Sequence, residues 1–176
     1  MSTDNKKMVI YTIGHSTRSL EELLELLNTH DIQKIVDVRT IPGSKRNPQF
    51  NKETLAAYLK KHHIDYVHMK SLGGLRHPRK DSVNTGWKVS SFRGFADYMQ
   101  TSKFQSAIKV LIELAREERI AIMCAEAVPW RCHRNLISDA LMVRGMKVKH
   151  ILSAADARDH KLTSFAHVEG TTITYT

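Results

Sequence analysis

The chain has only two cysteines, Cys124 and Cys132, and no Cys-x-x-Cys spacing. Two thiols cannot build a disulfide framework, and they suit a reducing compartment in which both stay free. No apolar run is long enough to cross a bilayer, so a membrane-spanning protein is not expected. The opening residues, Met1-Ser-Thr-Asp-Asn-Lys-Lys7, lack the apolar stretch of a secretory signal, and the expected location is the cytoplasm. There is no G-x-G-x-x-G fingerprint, no internal repeat and no low-complexity segment. Acidic residues are few, 18 against 27 Lys and Arg, giving a formal charge of +9. That imbalance favours an anionic partner, either a small molecule or a nucleic acid. What remains, 176 residues at 41% hydrophobic and 26% charged, suits one globular domain with a proper core.

Strand and helix patterns alternate along the chain. Met8–Ile13 is a β-rich run that stops at Gly14. Ser19 and Glu22 have capping-box spacing, and Leu20, Leu23, Leu24 and Leu27 then mark one helical face. Lys34–Val38 and Ile64–Val67 read as strands, separated by a helix carrying Leu55, Ala56 and Leu59 that Asn51 could cap. Residues 75–91 are polar and aperiodic, and are expected to be irregular, exposed and mobile beside the core. Helices follow from Phe92 to about 100 and over about 103–118, then a strand at Ile120–Cys124, a helix over 134–144 and a strand at Val148–Leu152. Strands joined by helices predict an α/β three-layer sandwich around a mostly parallel sheet of about five strands, Rossmann-like or flavodoxin-like. The segment Thr171–Thr176 could pair as an edge strand or stay disordered.

Open α/β sheets bind ligands beyond the carboxyl ends of their strands. Polar groups collect at those ends here: Gly14, His15 and Ser16 after the first strand, Asp37 and Arg39 at the second, then Cys124, Glu126, Arg131, Cys132, His133 and Arg134 around the fourth. One cleft lined by His15, Arg39, Glu126 and Arg134 is therefore expected. Gly14, His15 and Ser16 would cradle an anion at a helix start, and Arg39, Arg131 and Arg134 would neutralise it. Asp37 reads as a binding residue or as the internal ion partner of Arg39. Glu126 is the first candidate for general acid or base, and His133 the second. Cys132, near a helix start and beside Arg131, His133 and Arg134, should be the more acidic thiol and is a candidate nucleophile. It equally reads as a buried structural cysteine. Cys124 should sit deeper, at the end of an apolar strand.

Two sharper motifs do not fit. A phosphatase-like loop places five residues between Cys and Arg, whereas six separate Cys124 from Arg131, and Glu126 would put a negative charge in the cradle. A structural zinc site needs about four ligands. Cys124, Cys132 and His133 supply three, with the last two pointing apart if they lie on a helix, so no metal is expected.

The same residues carry a recognisable pattern. Thr12-Ile-Gly-His-Ser16, Asp37-Val-Arg39 with Pro42 and Ser44, Leu72-Gly-Gly74, Phe95 with Tyr98, Cys124-Ala-Glu126, Cys132-His-Arg134 and His150-Ile151 occur in order. The chain resembles the family catalogued as domain of unknown function number 488. The resemblance runs from about Val9 to Leu152, and implies a compact α/β domain of bacteria and archaea with a core over about 8–152 and an extension over 153–176. It implies no activity and no cofactor.

Three functions remain open on the sequence. The first is an enzyme, a hydrolase or transferase, acting on a nucleotide, a nucleic acid or another anionic substrate. The second is a non-catalytic nucleic-acid or nucleotide binding module, using Arg76, Arg79, Lys80, Trp87, Lys88 and Arg93 as its contact surface. The third is a thiol redox sensor using Cys132. The sequence specifies neither a cofactor nor an oligomeric state.

Overall fold

The computed structural model describes residues 7–176, so the expectation for Met1–Lys7 falls almost wholly outside it. The expected strands form at β1 (Val9–Gly14), β2 (Lys34–Asp37), β3 (Asp65–His68), β4 (Ile120–Cys124) and β5 (Lys147–Ile151). A sixth strand, β6 (Ala157–Asp159), adds antiparallel to β5 and gives the order β3-β2-β4-β1-β5-β6. The plan is Rossmann-like, with parallel neighbours throughout β1–β5, although β4 lies between β1 and β2. Sequence patterning does not reveal β6, which is short and polar.

Helices cover both faces. On one lie α1 (Leu20–Thr29) and α2 (Lys52–Lys61), whose Leu23, Leu26, Leu27, Leu55 and Leu59 pack with Ile13, Ile35 and Met123. On the other lie α3 (Ser90–Tyr98), α4 (Ser102–Glu117) and α5 (Arg134–Met142), packed through Phe95, Phe104, Leu111 and Leu136 against Ile10, Val36 and Ile122. Alternate strand residues thus feed the two core layers, as a doubly covered parallel sheet requires. Ser19 and Glu22 form the full capping box of α1. Asn51 does not cap α2 with its side chain; its Oδ1 instead accepts from the Ser44 amide at 2.8 Å and fixes the preceding loop.

The C-terminal residues are neither disordered nor an edge strand of the main sheet. β7 (Ala166–Glu169) and β8 (Thr172–Tyr175) pair as a separate antiparallel hairpin. Tyr175 is buried, and its amide donates to Asn84 Oδ1 at 3.0 Å. Residues 75–89 are irregular and mostly exposed, as expected, with Leu75, Val83 and Val89 at the surface, but the segment is anchored to the body of the protein at Asn84 and Arg79. Asn84 is fully buried, its amide donates to Asp97 Oδ1 at 2.7 Å, and the Arg79 amide donates to Asp97 Oδ2 at 2.8 Å. Among the described residues no helix is long and apolar enough to cross a membrane.

Candidate active site

The carboxyl ends of β1, β2 and β4 open into a cleft of about 400 Å³. The chain leaves β2 toward β3 and leaves β4 toward β5 on the opposite side of β1, so connections diverge above this point. His15, Arg39, Glu126, Arg131 and both cysteines with His133 line the cleft. Its apolar wall is Ile41, Leu75 and Phe92.

The floor is built by the segment after β4. A short turn of 3-10 helix, Pro129–Arg131, brings the chain back so that Cys132 lies 2.8 Å, sulfur to sulfur, from Cys124. Cys132 is not on α5. It is extended, two residues before the helix, and its sulfur accepts the Arg134 amide at 3.3 Å. His133 Nδ1 sits 3.6 Å from the same sulfur, so these neighbours do not point apart as a helical placement would have made them. His133 Nε2 lies 3.0 Å from the Val38 carbonyl. A carbonyl only accepts, so Nε2 carries the hydrogen and Nδ1 is left bare. Burial lowers the His133 pKa, which favours this neutral form.

Arg134 does not line the cleft. Its side chain is 0% exposed and lies behind the sulfurs. Nε–H donates to Cys124 Sγ at 3.0 Å, Nη1 to Thr12 Oγ1 at 2.9 Å and Nη2 to the Glu126 carbonyl at 2.7 Å. No carboxylate pairs with it among the described residues. An unpaired buried cation costs several kcal/mol, and the thiol pair is the acidic group in direct contact. Burial raises both thiols, and for Cys124 the Cys132 sulfur adds to it, holding that pKa well above its usual value. For Cys132, hydrogen bonding from the Cys124 thiol, then the charge and amide of Arg134, outweigh burial and bring the pKa to about 7. When one proton leaves the pair, Cys132 rather than Cys124 is the favoured place for the negative charge.

Arg39 reaches the cleft on a rigid mount. Asp37 is fully buried, and its carboxylate receives Arg39 Nε at 3.0 Å and Nη2 at 2.7 Å, plus the Tyr66 hydroxyl at 2.5 Å. It holds Arg39 and cannot touch a ligand. His15 Nδ1 contacts the Ser16 carbonyl at 2.8 Å, leaving Nε2 as acceptor 3.3 Å from Arg39 Nη1. Burial lowers the His15 pKa to about 4, so the ring is neutral.

The anion cradle expected at Gly14, His15 and Ser16 is absent. α1 begins six residues after Gly14. The amides of His15 and Ser16 are spent on the carbonyls of Cys124 and Ala125, both at 2.9 Å. Gly14 serves close packing instead: a Cβ there would meet the Glu126 carbonyl oxygen at 1.7 Å. Glu126 and Arg131 are exposed at the cleft. The sequence did not single out Ile41, Asn47, Leu75 or Ser91, which line the cleft from loops with no chemical signature.

The basic segment is mostly engaged with the protein itself. Trp87 is half-buried and packs against Phe92, Phe165 and Tyr175. Arg76 covers the Tyr98 ring and donates to the Gly73 and Ser71 carbonyls. Arg79 pairs with Asp81, Arg93 donates to the Trp87 carbonyl and Lys88 to that of Thr85. Lys80 alone of the set is exposed without such a contact. Among the described residues no three His, Cys, Asp or Glu side chains converge where a metal could sit.

The family described as Domain of unknown function DUF488 matches residues 19–141, well over half of the chain. The chain belongs to this DUF488 family. The match takes in Asp37, Arg39 and the whole Cys124–Arg134 segment of this DUF488 protein, and leaves out β1, β5 and the C-terminal hairpin. No curated protein and no solved structure matches the chain significantly.

Proposed function

We propose that this protein is a thiol-dependent enzyme, a hydrolase or transferase, acting on an anionic substrate. The observation that carries the reading is Arg134, a wholly buried cation whose nearest acidic partner is the Cys124–Cys132 pair. A guanidinium there favours thiolate, and thiolate is the nucleophilic form of cysteine. Cys132 is buried at 6% exposure, but it is part of the cleft lining, so a substrate seated in the cleft lies beside it. In the step that follows, the Cys132 sulfur forms a bond to the electrophilic carbon or phosphorus of the substrate. The bond to the leaving group breaks, and the leaving group takes the electron pair and a proton. Glu126 at the mouth is placed to protonate the leaving group, while His133 stays neutral beside the Cys132 sulfur. Water or a second substrate then displaces the thiol. Arg131 and the Nη1 face of Arg39 supply charge for the substrate anion. A nucleic-acid module draws less support, because Arg76, Arg93 and Trp87 are engaged with the protein itself, although Arg79, Lys80 and Lys88 stay at the surface.

The test compares iodoacetate with iodoacetamide at neutral pH. Cys132 should be modified first, and iodoacetate should gain on iodoacetamide relative to their rates with free cysteine, because the cleft favours the anion. Arg131→Ala should remove that gain and leave the iodoacetamide rate alone. Modification of Cys124 first, or two inert thiols, would overturn the proposal.

A further inference from the structure

Arg134 is one end of a hydrogen-bonded chain that runs away from the cleft. Beyond Thr12, which accepts from Nη1, Thr12 Oγ1 lies 2.6 Å from His150 Nδ1. His150 Nε2 lies 2.9 Å from His160 Nδ1, and His160 Nε2 lies 2.8 Å from Asp139 Oδ1. Asp139 also receives the hydroxyls of Tyr175 at 2.8 Å and Thr163 at 2.7 Å. All five members from Arg134 to Asp139 are buried.

The two ends determine every proton between them. A guanidinium only donates, so Thr12 must pass its own hydrogen to His150 Nδ1. That nitrogen is bare, so the ring hydrogen is on Nε2 and points to His160 Nδ1. His160 then carries its hydrogen on Nε2 and donates to a carboxylate, which only accepts. The bonds all run one way, from a buried cation to a buried anion, and no other neutral arrangement satisfies them. Burial, with the neighbouring His160 ring and the Arg134 cation, lowers the His150 pKa to about 3, in keeping with a neutral ring. Buried ionic and polar arrays are in general no more stabilising than well-packed apolar residues of the same volume. A polar chain of this length therefore points to a use for the direction it imposes on Arg134.

We infer that Thr12, His150, His160 and Asp139 are positioning residues for the thiol pair. They hold the Arg134 guanidinium in register with Cys124, and so keep the negative charge on the Cys124–Cys132 pair. The inference rests on the thiolate reading above. It also gives the C-terminal segment a role at the cleft, since His160 and Tyr175 lie beyond the family-matched residues 19–141 yet complete the chain. The ionisable groups facing the thiols directly are Arg134 and His133, and those facing the relay are His150, His160, Asp139 and Tyr175.

Thiolate ultraviolet absorbance, followed against pH, tests this without requiring access to the sulfur. Thr12→Val keeps the shape and removes the hydroxyl; Thr12→Ser keeps the hydroxyl. Thr12→Val and His160→Gln should move the thiolate midpoint upward by about one pH unit, leaving about tenfold less thiolate below it. Thr12→Ser should match the wild type. If Thr12→Val does not fold, Tyr175→Phe, which removes one donor from Asp139, should give a smaller shift of the same sign. A low wild-type midpoint that none of these variants moves, even as their melting temperatures fall, would overturn the relay alone. A wild-type pair that titrates as ordinary thiols would overturn the thiolate reading beneath it.

Discussion

Acidification should unfold this protein through its buried neutral histidines. His15 and His150 have pKa values lowered from 6.5 to about 4 and about 3, chiefly by burial, and burial lowers His133 too. Each ring is neutral when folded and free to protonate when unfolded. Below pH 6.5 the unfolded chain therefore binds more protons, and stability falls as the pH falls. The loss begins near 6.5 and ends only once the pH has passed the folded values near 4 and 3. Two such groups give a slope of about 2.7 kcal/mol per pH unit within that window. Over the whole window the two together remove roughly 8 kcal/mol, comparable to the entire stability of an ordinary domain. The assay is denaturant unfolding followed by tryptophan fluorescence at a series of pH values from neutral downward. His15→Gln should lower stability at neutral pH but flatten the acid slope, because one titrating group is gone. A wild-type stability that is level from pH 6.5 to 4 would refute the reasoning, as the histidines would then be protonated in the fold without penalty.

Two substitutions bear on the site itself. Gly14→Ala places a methyl 1.7 Å from a carbonyl oxygen that belongs to backbone and cannot turn away. It should cost about 3 kcal/mol, or a melting temperature about 6–12 °C lower, measured by calorimetry. Arg134→Gln removes a positive charge that, at about 4 Å and an effective dielectric of about 20, is worth about 4 kcal/mol to the thiolate. Alkylation of Cys132 at neutral pH should fall about a hundredfold or more, and a rate within about twofold of the wild type would count against Arg134 as the counter-ion.

The fold was legible because each core element carries its own period. Leu20, Leu23 and Leu27 announce a helix, and Ile120–Met123 a doubly covered strand. β6 and β7 were not legible, being short and polar; Thr171–Thr176 was legible as a possible strand, but not its place, which its pairing with β7 and the contacts of Asn84, Gln100 and Asp139 set. The cleft was legible as a cluster of chemistry at strand ends, but not the depth of each group. Arg134, read as a binding residue, and Glu126, read as the acid or base, were both expected to line the cleft. The turn at Pro129–Arg131 buries the first behind the sulfurs and leaves the second at the mouth. His150 and His160 are silent singly, and acquire meaning only when β5 and β6 pair and bring them to 2.9 Å.

The central claim is that the buried guanidinium of Arg134 is balanced by one negative charge shared by Cys124 and Cys132. Infrared absorption in the S–H stretching region counts the protonated thiols directly. At mildly acid pH the folded protein should show two. At mildly alkaline pH, above the Cys132 value of about 7, it should show one, and Cys124→Ser should show none. Two S–H bands that persist together into the range of an ordinary free thiol would contradict the account.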